Sequence, residues 1–167
     1  SRDWSSDVCS SDLTEYRRQG YLPDAMVNFL ALLGWSPGDD RELMSIAELT
    51  ASFSLDGISG GNAVFNTEKL DWMNGQYIAR LPVEQLAAAV MPLLEEAGLW
   101  PAAGMDDPWL HRLVDLLRPR AKRLTDFVDL ASPYLRETVE YAPDAVEKHL
   151  RAPNVADHLR ALLGALG

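Results

Sequence analysis

A chain of 167 residues, 47% apolar and 24% charged, is long enough for one or two packed domains and too balanced for a disordered or fibrous protein. No run approaches the ~18 apolar residues of a membrane span, and no basic-then-apolar secretory start is present, so a soluble cytoplasmic protein without a membrane partner is expected. The single Cys9 excludes an internal disulfide framework and a cysteine metal cluster, and a formal charge of −10 argues against a general nucleic-acid binder such as a DNA-binding protein.

Residues 1–13 have neither a helical nor an alternating apolar period, and they repeat Ser5-Ser6-Asp7 as Ser10-Ser11-Asp12. Asp3 to Leu13 resembles, residue by residue, the translation of a common sequencing-adapter oligonucleotide. This leader is therefore set apart as artefactual, Cys9 with it. It is expected to be disordered, and a longer protein is expected to have continued upstream of Thr14.

From Thr14 onward the pattern is one of short helices with marked ends. Pro23 suits a first helical turn, with Ala25, Met26, Phe29, Leu30 and Leu33 at helical spacing and Gly34 at the end. Residues 36–40, Ser-Pro-Gly-Asp-Asp, have turn chemistry. Ser45 and Glu48 form a capping box for a helix running to about Phe53. Asp56 to Asn62, with three glycines, reads as a loop. Asn66 or Thr67 caps a helix carrying Leu70, Met73, Tyr77 and Leu81, which Pro82 stops.

Val83, Leu86, Val90, Leu93, Leu94 and Ala97 mark a further amphipathic helix, with Pro92 inside it. Gly98 to Asp107 is a joint, and Pro108 opens a helix with Leu110, Leu113, Val114 and Leu117 on its buried side. Thr125 is a candidate cap for a helix with Phe127, Val128 and Leu130. Pro143 to Leu163 gives two shorter signals, the second capped by Asn154. The expectation is an all-α fold of short packed helices, with boundaries near Pro82 and near residue 137.

No active-site constellation is visible. His111, His149 and His158 are scattered, and the sequence has no Gly-x-Ser-x-Gly elbow, no Walker-type phosphate loop and no His-Glu-x-x-His. Adjacent Asp39 and Asp40 read as solvated turn residues. Neither catalytic nor metal-ligating residues are assigned. One stretch stands out: between Arg112 and Arg123 five basic residues, Arg112, Arg118, Arg120, Lys122 and Arg123, face one acid, Asp115. Its plainest reading is a solvated helix face; a binding site for an anionic partner is the alternative.

Residues 16–25, Tyr-Arg-Arg-Gln-Gly-Tyr-Leu-Pro-Asp-Ala, with residues 28–36, Asn-Phe-Leu-Ala-Leu-Leu-Gly-Trp-Ser, resemble the segment after the catalytic signature loop of bacterial glutamyl-tRNA synthetases. The likeness resumes at Ala63-Val64-Phe65 and across residues 69–78, Lys-Leu-Asp-Trp-Met-Asn-Gly-Gln-Tyr-Ile. It is strong over Thr14 to Leu81, weaker to Leu135 and faint beyond.

The resemblance implies a stem-contact region at 14–81, a helical anticodon-binding subdomain at 82–136 and the truncated start of a second one at 137–167. It implies a parent that joins glutamate to its tRNA through an adenylate, using ATP and Mg in a catalytic domain. The two catalytic signatures of that family, one like His-Ile-Gly-His and one like Lys-Met-Ser-Lys-Ser, do not occur here. A monomeric, catalytically silent fragment without a cofactor of its own, binding glutamate tRNA, is thus expected. In the family an arginine within the motif that matches residues 116–121, Leu-Leu-Arg-Pro-Arg-Ala, reaches an anticodon base. That residue is Arg118, with Arg120 the alternative; the other members of the basic stretch would meet phosphates. The loop Gly57 to Asn62 lacks the lysine or arginine that many members carry. Tyr21, Leu22, Trp35, Leu70, Trp72 and Tyr77 are read as core packing. A stand-alone helical module that binds proteins through an acidic surface is the rival reading.

Overall fold

The computed structural model describes residues 14–58, 64–101, 106–136, 141–151 and 154–166. The leader, most of the glycine loop and Cys9 lie outside them. Every regular element is helical, and the one β-type contact among the described residues is an isolated antiparallel bridge between Trp35 and Ile58. The expected all-α class holds.

After a helical turn at residues 14–18, α1 spans Pro23–Gly34 with its proline in the first turn. The short α2, Ile46–Ser52, carries the full capping box: the Glu48 amide donates to Ser45 Oγ, and the Ser45 amide donates to Glu48 Oε2 at 2.8 Å. The Ser45 amide, and after it the Ser45 hydroxyl donating to the same Oε2 at 2.8 Å, hold the Glu48 carboxyl below its ordinary value. Of the two candidate caps for α3, Thr67–Arg80, Asn66 is the one used, its Oδ1 accepting from the Lys69 amide. Pro82 ends that helix, and α4, Val83–Glu96, begins at once.

Helix α4 runs through Pro92, which is exposed, and buries Leu86, Ala87, Val90 and Leu94 along one stripe. Helix α5, Asp107–Leu117, is capped by Asp106 and buries Leu110, Leu113, Val114 and Leu117. Helix α6, Asp126–Leu135, adds Phe127 and Ala131. These stripes, joined by Ile78 from α3, form the larger core. Each buried Leu, Val or Phe contributes about 1.5–3 kcal/mol, so this cluster holds the end of α3 firmly against α4 and α5. A second core sits between α1 and α3, built from Tyr21, Met26, Phe29, Leu70 and Met73. Trp35, Met44 and Leu49 close a third, around α2.

The chain parts into two compact units between Leu135 and Arg136. In the second, a helical turn at Pro143–Ala145 passes into a π-helical segment, Val146–Leu150, and α7 spans Val155–Leu166. The Asn154 carbonyl accepts from the His158 amide at the start of α7.

Two expectations need correction. The Thr125 hydroxyl donates to the Gln19 carbonyl at 3.0 Å, 106 residues away, and so serves a tertiary contact in place of a local helix cap. Trp72 is 42% exposed. At ~100° per helical residue it stands ~200° from Leu70, on the side of α3 away from Leu70, Met73 and Tyr77. The remaining aromatic and leucine positions named with it are buried or half-buried.

Candidate nucleic-acid interface

The basic stretch folds as a bend. Pro119 cannot continue α5, so the helix stops at Leu117, a 3-10 turn covers Arg118–Arg120, and Ala121 is extended. Four cations thus fall within six residues at a change of direction, and their side chains have different fates.

Arg118 folds back. Its guanidinium donates to the Leu81 carbonyl at 2.9 Å and, more loosely, to the Ala79 carbonyl at 3.4 Å, and it pairs with Asp115. Carbonyls at the C-terminus of α3 lack helical partners, and Arg118 supplies one. Arg123 also turns inward. It forks onto both oxygens of Asp71 at 2.8 and 3.0 Å while its guanidinium lies 4.9 Å from the centre of the Tyr21 ring. The Tyr21 hydroxyl donates to the same carboxylate at 2.6 Å. Burial alone would raise the Asp71 carboxyl, but the hydrogen bonds from Arg123 and Tyr21 and the charge of Arg123 outweigh it and hold Asp71 below its usual value. Tyr21 moves the other way: burial first, then its bond to Asp71, push its phenol well above the ordinary range. The hydrogen bonds that Arg123 donates to Asp71 raise the Arg123 value further.

Arg120 and Lys122 differ. Both are exposed, and among the described residues neither side chain has a hydrogen bond or ion pair. Arg112, on α5, is exposed in the same way. The stretch thus contains two cations engaged within the protein and three available to an anionic partner.

Asn74 fixes the bend in place. Its side chain is fully buried on α3; Oδ1 accepts from the Leu22 amide at 2.8 Å, and Nδ2 donates to the Lys122 carbonyl at 2.6 Å. A longer bond, 3.4 Å, runs from Nδ2 to the Gly20 carbonyl. Gly20 itself accepts from the Leu124 amide at 2.9 Å and has φ of +87°. A Cβ there would lie 2.7 Å from the Thr125 nitrogen, so the contact between the Gly20 turn and the bend requires glycine. The strings that carry the family likeness, residues 16–25 and 69–78, therefore meet at the back of the basic bend and brace it.

In front of the bend lies a groove of about 440 Å³. Trp72, Gly75, Gln76 and Ala79 of α3 form one wall, and the chain from Arg118 to Lys122 the other. No acidic side chain lines it. Free guanidinium and ammonium groups can meet phosphates or base edges, and an exposed indole offers a face on which a base can stack. Sequence reading missed Trp72 because an aromatic beside two core positions resembles core. Its helical phase, shared with Gln76 and Ala79, was the available signal.

Residues 85–167 match the family model of an anticodon-binding domain, and residues 6–72 match that of the catalytic domain of class I tRNA synthetases (E and Q). Helical fold and family matches together define part of a class I aminoacyl-tRNA synthetase. The glutamate–tRNA ligase of Desulforudis audaxviator is 40% identical over 149 residues, 87% of this chain and 29% of that protein. That of Nostoc sp. is 36% identical over 157 residues, 93% of this chain and 32% of that protein. The crystal structure of a glutamate tRNA ligase from Elizabethkingia meningosepticum superposes with a TM-score of 0.78 at 28% identity, covering 90% of this chain and 29% of that one. The chain belongs to the glutamate–tRNA ligase family and spans under a third of the length of these relatives.

The stretch read as a stem-contact region lies, as far as residue 72, within what the second family model counts as catalytic domain, although neither catalytic signature is in the sequence. The match also starts at residue 6, inside the adapter-like leader.

Proposed function

We propose that this chain is a tRNA-binding portion of a glutamate–tRNA ligase and that Arg120, not Arg118, is the arginine that reaches an anticodon base. The observation that carries the second half is the contrast at the bend. Arg118 is held by Asp115 and the end of α3, whereas Arg120 is exposed and unpaired at the groove. A planar five-donor fork on a fixed turn suits a bidentate contact to a base edge. Lys122 and Arg112 would lie against phosphates.

Within this reading, residues 14–81 contact the tRNA stem, 82–136 form a first anticodon-binding subdomain, and 137–167 begin a second. The partner is glutamate tRNA, bound by a monomer in the cytoplasm. No helix of the described residues is long and apolar enough to cross a membrane. Adenylate formation from ATP and glutamate belongs to the whole ligase. The residues present do not fit an ATP and Mg site: no phosphate loop occurs in the sequence, and among the described residues no three His, Cys, Asp or Glu converge. No step through ATP is assigned to this chain.

Salt dependence of binding tests the proposal. With Arg112, Arg120 and Lys122 on phosphates or beside them, log affinity for glutamate tRNA should fall with log salt at a slope of roughly −2 to −3, at ~0.7–0.9 per contact. Lys122→Ala should reduce that slope by ~0.7–0.9 and weaken all tRNAs alike. A flat dependence, or one that Lys122→Ala leaves unchanged, removes the bend from the RNA interface.

A further inference from the structure

One feature of the groove is not used by base reading through Arg120. Trp72 projects from α3 with 42% of its surface exposed, although the same helix buries Leu70 and Met73 completely. Leaving an indole in water forgoes apolar burial, and the exposed ring face is open to a partner. Gly75 and Ala79, one and two turns further along α3, are too small to cover it and leave the groove open beside it.

What covers it follows from the charge around it. Lys122 and Arg120 line the same groove without partners. Asp71, the residue before Trp72, is engaged by Arg123 and Tyr21 and leaves no free negative charge there. Gln76 adds an amide that can donate to or accept from a base edge. A flat apolar face, an amide and two cations in about 440 Å³ match a nucleotide: base, edge and phosphate.

Resting on the RNA-binding reading above, we propose that this groove holds one unstacked nucleotide of the bound RNA, its base lying on the Trp72 indole and its phosphate beside Lys122. Stacking on tryptophan tolerates any base, so Trp72 anchors the strand without choosing its sequence. Arg120, on the opposite wall, then reads a neighbouring base from a fixed strand.

The test uses the full chain, a glutamate tRNA transcript and a pentaglutamate peptide. Five tryptophans fluoresce in the wild type, and Trp72→Phe removes one. The tRNA should quench a component present in the wild type and missing in Trp72→Phe, whereas the peptide should not. Trp72→Ala should weaken binding roughly 5- to 150-fold with an unchanged salt slope, because a stacked base displaces no counterion. Trp72→Phe, which keeps an aromatic face, should stay within about threefold of wild type. If Trp72→Ala is folded by circular dichroism and binds like wild type while Arg120→Ala is impaired, stacking is wrong and RNA binding stands. Equal quenching in wild type and Trp72→Phe overturns the proposal even if Trp72→Ala fails to fold. Quenching by the peptide and not by tRNA makes the groove an acidic-peptide site and also overturns it. A wild type that binds no tRNA ends both readings.

Discussion

Asn74→Ala removes a buried side chain of α3 that bonds the Gly20 turn, the start of α1 and the basic bend. Two short bonds disappear, from the Leu22 amide and to the Lys122 carbonyl, and the longer one to Gly20 goes with them. Asn74 has no exposed surface, so water cannot replace its amide without opening the junction. A buried main-chain group left without a partner costs about 1–3 kcal/mol, and two such groups put the loss at roughly 2–6 kcal/mol. A domain of this size is stable by about 5–15 kcal/mol, so the variant should remain folded but much weakened. With a urea slope of about 2 kcal/mol per molar, the midpoint should fall by on the order of 2 M. Asn74→Asp sharpens the test. Its carboxylate can still accept from Leu22, but it faces the Lys122 carbonyl with no donor, which raises its folded-state pKa. Stability linked to a raised pKa is present at low pH and lost as pH rises, so Asn74→Asp should gain on wild type upon acidification. A loss under about 1 kcal/mol for Asn74→Ala would refute the reasoning.

Gly20→Ala should cost about 1–3 kcal/mol for its positive φ alone and more for the 2.7 Å approach to Thr125. Gly75→Ala, inside α3 with only a 3.4 Å contact, should be neutral or stabilising by up to ~1 kcal/mol; thermal midpoints separate the two. Asp71→Asn should destabilise at neutral pH. Because Asp71 is held below the unfolded value of about 3.9, the wild type's advantage is present above that pH and should shrink as pH falls through the lowered one. Urea titrations at several pH values check this, and a gap that widened in acid would contradict the pairing with Arg123. Finally, pyrophosphate exchange with ATP, glutamate and tRNA should not exceed a blank without enzyme, since the sequence carries neither catalytic signature.

Helix ends were readable because local chemistry alone sets them. Ser45 with Glu48, Asn66 before α3 and the early prolines of α1 and α5 satisfy or replace amides within a turn. The basic bend was readable as a place, because the cations cluster around Pro119, where α5 ends, although α4 and α6 each run through a proline. Which cations are free was not readable. Arg118 has Asp115 three residues away, but its bond to Leu81 and that of Arg123 to Asp71 span 37 and 52 residues, and nothing in residues 112–123 foretells those. Thr125 had the residue type of a cap, yet a carbonyl 106 residues distant takes its hydroxyl. Asn74 and Asp71 sat within the strings that resemble the synthetase family, but only the fold reveals that they brace the bend. The π-helical segment at Val146–Leu150 has no sequence mark that periodicity could detect.

The central claim concerns the bend and the anticodon, and the most direct measurement is a ratio of dissociation constants. Affinity for glutamate tRNA is compared with affinity for the same tRNA carrying a swapped anticodon, in wild type, Arg118→Ala and Arg120→Ala. A lost bidentate base contact costs about 1–3 kcal/mol and falls on the cognate tRNA alone, so Arg120→Ala should reduce the ratio by roughly 5- to 150-fold. Arg118→Ala should lower stability through the uncapped end of α3 and leave the ratio unchanged. A wild-type ratio well above one that Arg120→Ala leaves intact would contradict the account.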